Sequence, residues 1–190
     1  MTKRVTNVYL CGMIGTGKTT LGERLAARLG RPFHDLDREL DQELGRSFHE
    51  LVREQGWLAF REIEYRICKR FAGLEHAVCA LGGGTVRYEW NTDVLRGSGV
   101  MVLLEGDLAL LAERVRAADR PRVHAGLSLE EDLARIWRQS AHLYRGAADL
   151  VYRLAPGRGI DESVADLVTL LERLTPRAAS SGRSRRSDRP

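Results

Sequence analysis

The chain has 190 residues, 43% of them apolar and 29% charged, with a formal net charge of +4. That length supports one sizeable hydrophobic core and leaves little room for two ordinary domains. No apolar run approaches the roughly 18 residues of a membrane span, so a soluble protein of the cytoplasm is expected.

The positive charge is unevenly placed. In the last fifteen residues Arg177, Arg183, Arg185, Arg186 and Arg189 face only Asp188, which leaves 25 basic and 25 acidic residues in the remainder. Nucleic acid is therefore not an expected partner of the folded part, and the Ser/Arg/Gly/Pro stretch over 176–190 reads as a disordered basic tail. A polyanion-binding arm is the alternative reading of that tail. Cys11, Cys68 and Cys79 are odd in number and far apart, with no metal-site or disulfide spacing, as suits a reducing compartment.

Short β-rich runs alternate with longer helical periods, which predicts an α/β fold with a parallel sheet flanked by helices. Residues 5–11 form the first strand; the run contains Thr6 and Asn7 and enters a glycine loop, unlike a signal peptide. Residues 18–29 form a helix with Leu21, Leu25 and Leu29 on one face, stopped by Gly30. A short strand follows at about 33–36. Residues 37–73 are mostly helical with breaks at Gly45 and Gly56, an inserted subdomain. Strands are expected at 77–81 and 99–104, and Asp107 is placed to cap a helix reaching about 117. Residues 118–127, with Pro121 and Gly126 and no apolar period, read as a mobile lid. Ser128 and Glu131 form a capping box for a helix to about 144, followed by a strand at 150–154 and a helix near 161–174. The expected organisation is one domain over 1–175.

Gly12, Gly17, Lys18 and Thr19 satisfy G-x-x-x-x-G-K-[ST] between an apolar strand and an amphipathic helix, where a phosphate-binding loop must lie. Glycines let the loop wrap with its N–H groups inward, and the helix N-terminus adds partial positive charge. Gly15, Thr16, Gly17, Lys18, Thr19 and Thr20 are therefore expected to hold ATP, with Lys18 on the β- and γ-phosphates and the Thr19 hydroxyl on Mg²⁺. The chain has three lysines against 27 arginines, and one lysine stands where this chemistry wants a compact charge.

Asp35 and Asp37 follow the second strand, where alternation would set both carboxylates on one side. Two readings stand: Asp37 caps the next helix, or Asp35 is an outer-sphere magnesium partner and Asp37 accepts the proton of an acceptor hydroxyl. Arg61 and Glu64, three apart on a helix, are either a surface ion pair or a positioned acceptor-binding arginine. Gly82, Gly83 and Gly84 directly after a buried strand are costly unless something approaches the backbone closely, and a substrate hydroxyl or carboxylate would fit.

Together these pieces resemble the shikimate kinase family over about 5–174, in the family's order: Walker loop, D-x-D, a Phe-Arg pair at Phe60 and Arg61, a triple glycine, and an R-P lid element at Arg120 and Pro121. The resemblance implies a three-layer P-loop kinase fold with an acceptor-binding insert and a lid. It also implies that Asp37 orients the acceptor hydroxyl, that Arg61 and the triple glycine hold the acceptor, and that Arg120 closes over the transferring phosphate.

The chain departs from the family pattern in one segment. Where the family has an acceptor-binding arginine in R-x-P-L-Y, this chain has Ser140, with His142 at the proline position. Arg138 is two residues off, about 200° around a helix, and so faces elsewhere. Losing a charge-assisted bond to a carboxylate would weaken shikimate binding about 10- to 150-fold unless another donor serves.

The expected activity is ATP- and Mg²⁺-dependent phosphorylation of a small hydroxylated acid, with shikimate first. The alternatives are another cyclitol, sugar acid or hydroxy acid, a nucleoside or nucleotide kinase, and a nucleotide-binding regulatory module without turnover. Arg114 and the loop 156–159 are positioned to meet adenine, and a monomer is expected.

Overall fold

The computed structural model describes residues 6–117 and 126–174. Most of the expected lid, including Arg120 and Pro121, and the expected basic tail lie outside these residues. Five parallel strands form one sheet: β1 (Asn7–Cys11), β2 (Phe33–Asp35), β3 (Val78–Ala80), β4 (Gly99–Glu105) and β5 (Leu150–Arg153), in the order β2-β3-β1-β4-β5. Their helices are α1 (Lys18–Leu29), α2 (Leu36–Leu44), α3 (Phe48–Ala72), α4 (Glu89–Leu95), α5 (Leu108–Ala117), α6 (Leu129–Ala147) and α7 (Ile160–Leu174), with a 3₁₀ turn at Thr85–Arg87.

Alternation along β1 explains the layering. Val8 and Leu10 bury on one face of the sheet with Leu21 and Leu25 of α1 and Leu167 of α7. Tyr9 and Cys11 bury on the other with Ile67 and Phe71 of α3 and Leu133 and Ile136 of α6. A strand buried on both faces reads as a continuous apolar run, as β1 and β4 do.

Several local expectations hold and some need correction. Gly45 ends α2 in the left-handed conformation. Gly56, with φ 81° and ψ 176°, breaks the helical path inside α3, a backbone state that a residue with a Cβ would adopt only under strain. The capping box is complete: Ser128 Oγ accepts from the Glu131 N–H, and Glu131 accepts from the Ser128 N–H. The second strand, however, ends at Asp35, and Leu36 already begins α2. Strand alternation therefore does not relate Asp35 to Asp37, and the cap is Asp35 rather than Asp37. The 3₁₀ turn and α4 carry no periodic signal strong enough to have marked them in the sequence.

The register brings the loops together. Asp35 pairs with Ala80, Ala80 with Leu10, and Leu10 with Val102. The segments leaving β2, β3 and β1 thus emerge side by side at the carboxyl edge of the sheet, where parallel α/β folds bind ligands.

Candidate active site

The loop after β1 is shaped by backbone that only glycine tolerates. Gly12 has φ 145°, and a Cβ there would lie 2.5 Å from the Leu104 carbonyl oxygen. The loop ends at the N-terminus of α1, whose first turn contains no acid to compete for an anion. Lys18 Nζ donates to the Gly12 and Met13 carbonyls at 2.9 and 3.0 Å, which places its charge across the loop. Thr16 is buried, with its hydroxyl donating to the Met13 carbonyl.

Asp35 divides its two oxygens. Oδ1 accepts from the Asp37 and Arg38 N–H groups at 3.1 and 3.2 Å, which caps α2. Oδ2 accepts from the Thr19 hydroxyl at 2.7 Å. Two hard oxygen ligands from different elements thus meet at the mouth of the loop, a donor set that suits Mg²⁺.

Beside the loop, Thr16, Gly17, Thr20, Arg114, Leu154, Ala155 and Arg158 line a cavity of about 260 Å³. Arg114 Nη1 also reaches the Gly15 carbonyl at 3.5 Å. Apolar walls with two guanidiniums at the rim suit a purine base. A wider groove of about 630 Å³ flanks β2 and α2, but its charges pair with one another, Arg70 with Glu39 and Glu43.

On the other side of the loop stands a wall built by side chains. Glu64 is 0% exposed and accepts from Arg61 at 2.6 Å, from the Thr85 hydroxyl at 2.8 Å and from Asn91 at 3.0 Å. The surface ion pair weighed for Arg61 and Glu64 is thereby excluded. Arg61 lies 4.3 Å from the Tyr88 ring centroid, 4.7 Å from Phe60 and 5.4 Å from Trp57. Three π-faces and a carboxylate fix the guanidinium. Among the described residues its Nε is buried without a hydrogen-bond partner, as befits a donor meant for a ligand.

Gly82, Gly83 and Gly84 join the two sides. A Cβ on Gly82 would lie 3.1 Å from Asp37 Oδ1, and one on Gly84 would lie 3.2 Å from Arg61 Nη2. A Cβ on Gly83 would lie 3.5 Å from the Ile14 nitrogen in the phosphate loop. The Tyr144 hydroxyl donates to the Gly83 carbonyl and holds this loop from α6. Burial pushes that phenol's pKa up, while the charges of Arg87 and Arg61 oppose the shift.

The structure thus brings Lys18, Thr19, Asp35, Asp37, Arg61 and the three glycines into one site. Ser140 is buried on α6 one turn before Tyr144, whereas Arg138 and His142 are exposed. Sequence reasoning missed Thr85, Tyr88 and Asn91, which serve the site through Glu64 and Arg61. Their residue types and spacing form no motif, and nearness to the triple glycine is the one signal in the sequence that points toward the segment.

The family model described as shikimate kinase matches residues 14–171. A shikimate kinase from Chlorobium luteolum is 34% identical, the match covering 96% of this chain and 93% of the relative. One from Thermosynechococcus vestitus is 35% identical over 90% and 94%. Among solved structures, shikimate kinase from Acinetobacter baumannii in complex with shikimate superposes with a TM-score of 0.82, at 28% identity over 90% of this chain and 96% of that one.

Proposed function

This chain belongs to the shikimate kinase family, and on that premise we propose that it transfers the γ-phosphoryl group of ATP to a ring hydroxyl of shikimate, giving shikimate 3-phosphate. The observation that carries the reading is the place of Gly83, against Ile14 of the phosphate loop and between Asp37 and Arg61. A hydroxyl held on the glycine loop is thereby delivered to the end of the nucleotide's phosphate chain.

The residue roles follow from the geometry. The loop N–H groups and the α1 N-terminus hold the phosphates, and Lys18 exchanges its carbonyl partners for the β- and γ-phosphate oxygens. The cavity at Arg114 and Arg158 takes the base. Thr19 and Asp35 would hold Mg²⁺, which when bound neutralises charge on the β- and γ-phosphates. Arg61 binds the acceptor. Asp37 accepts the proton of the attacking hydroxyl and aligns its oxygen with phosphorus. Arg120, between α5 and α6 in sequence, is assigned the closing contact to the transferred phosphate. The kinase domain is placed at 1–175, with its acceptor-binding insert at about 37–73, and the enzyme is assigned to the cytoplasm as a monomer. No helix among the described residues is long and apolar enough to cross a membrane.

Coupled measurement of ADP release with and without shikimate tests the activity. Turnover dependent on shikimate is expected, and Lys18→Ala should lower kcat at least about 10²- to 10³-fold, the scale of losing one preorganised charge donor. Absence of turnover with shikimate and with other polyols would overturn the kinase reading.

A further inference from the structure

Three consecutive glycines lack the side chains that would restrict their backbone, so each peptide unit between β3 and the 3₁₀ turn takes its orientation from whatever holds its carbonyl. Two of the three carbonyls are held from within the segment. The Gly82 carbonyl accepts from the Thr85 N–H at 3.2 Å and the Gly84 carbonyl from the Arg87 N–H at 3.1 Å, the short-range bonds of the turn itself. The Gly83 carbonyl is held from outside, by the hydroxyl of Tyr144 in α6.

That hydroxyl is well anchored. Tyr144 is fully buried, shares the core with Leu133 and Ile136 of the same helix, and has the Trp137 ring at 6.0 Å between centroids. Helix α6 also packs on the 3₁₀ turn. Burial raises the pKa of the phenol and keeps its O–H a donor at neutral pH. A helix rooted in the core thus sets the direction of the one peptide unit that the loop does not fix for itself.

The consequence appears at the next residue. A trans peptide unit is planar, and its N–H points opposite to its C=O. Turning the Gly83 carbonyl toward Tyr144 therefore turns the Gly84 N–H away from it. Among the described residues no group accepts from that N–H, and Gly84 is only half-buried. Gly84 lies against Arg61, a Cβ there standing 3.2 Å from Nη2, so an available backbone donor stands near the guanidinium of the acceptor wall. A half-turn of this peptide unit would replace the donor by a carbonyl oxygen, which repels the oxygens of an acceptor.

We propose that Tyr144 is a positioning residue of the acceptor site: its hydroxyl holds the Gly83 carbonyl so that the Gly84 N–H donates to an oxygen of the acceptor beside Arg61. This rests on the shikimate reading above and adds how α6 orients a donor through the glycine loop.

The test joins kinetics to amide hydrogen exchange at Gly84, followed by NMR with ADP present and shikimate added or withheld. In the wild type, shikimate should slow exchange at Gly84. Tyr144→Phe keeps the ring and removes the hydroxyl; it should abolish that slowing and raise the KM for shikimate about 2- to 10-fold, the scale of one neutral hydrogen bond, with the KM for ATP unchanged. A role confined to packing would lower the denaturation midpoint and leave the KM of the folded variant where it was, and that result overturns the proposal. An equal rise in both KM values overturns it too, since the hydroxyl would then support the whole site. Should Tyr144→Phe fail to fold, the wild-type exchange decides, and a Gly84 amide that shikimate leaves unprotected overturns the proposal. A wild type that does not turn over shikimate sinks the proposed function, and this inference with it; a shikimate-active wild type without protection at Gly84 sinks this inference alone.

Discussion

The two sides of the site are built from different materials. On the donor side the chain makes its binding surface from backbone: a glycine at φ 145° that leaves no room for a Cβ, N–H groups at the start of α1, and a lysine lying across the loop carbonyls. On the acceptor side the surface is a side-chain network, in which Glu64 gathers Arg61, Thr85 and Asn91, and three aromatic rings pack on the guanidinium. Backbone donors bind any chain of phosphates, so the donor side needs no variation to suit an acceptor. A side-chain wall can be re-specified one residue at a time, which makes it the place where substrate identity is written.

That division can be broken by variants that should affect one side only. The largest effect is expected from Asp37→Asn, which keeps the shape beside Gly82 but removes the proton acceptor. We expect kcat to fall about 10²- to 10⁴-fold while the KM for ATP stays unchanged. A parallel rise in the KM for ATP would show that Asp37 serves the donor side instead. Glu64→Ala comes next. It would leave the Arg61 charge buried without its partner and strand Thr85 and Asn91, at a cost of about 3–5 kcal/mol of stability. Denaturant titration measures this, and nucleotide affinity of the folded fraction should persist. A loss below about 1 kcal/mol would mean that solvent already compensates Arg61.

The same division decided what could be read in the sequence. The phosphate loop is local: eight consecutive residues carry its geometry, so its spacing is sufficient, and the strand–loop–helix context fixes its place in the sheet. The helical insert and its breaks at Gly45 and Gly56 were equally legible, because glycine conformations and helical periods are short-range properties. The acceptor wall was legible only in part. Arg61 and the triple glycine stood out, but Glu64 reaches Thr85 and Asn91 across more than twenty residues, and nothing in the intervening sequence announces that closure. Asp35 and Asp37 were found as a pair for the wrong reason. The strand stops at Asp35, and a cap on α2, rather than alternation, turns one carboxylate toward Thr19 and leaves the other beside Gly82.

Whether the two sides nevertheless stand or fall together can be asked through the buried thiols. Cys11 ends β1 beneath the phosphate loop, Cys79 lies in β3 beneath the glycine loop, and Cys68 is in α3 behind the acceptor wall. Burial pushes Cys11 and Cys79 up to about 12 and Cys68 upward as well, the Lys18 charge opposing only the first. A thiol whose pKa is raised on folding keeps its proton in the native state while the unfolded chain releases it. The stability it contributes is therefore complete below its unfolded value near 9 and is lost as pH rises toward the folded value. Each thiol should contribute a slope of about −1.4 kcal/mol per pH unit once the unfolded form is ionised, so a single cooperative unit loses about 4 kcal/mol per unit. Denaturation midpoints between pH 8 and 10 read the onset of this slope, about 1.4 kcal/mol per thiol over the whole window, with the buried phenols of Tyr9 and Tyr144 adding only toward its upper end. If both sides belong to one unit, Cys11→Ala and Cys68→Ala should each remove the same third of the slope. If the acceptor side opens by itself, Cys68→Ala will leave the global slope untouched while Cys11→Ala still lowers it, because α3 will have released its thiol before the sheet unfolds.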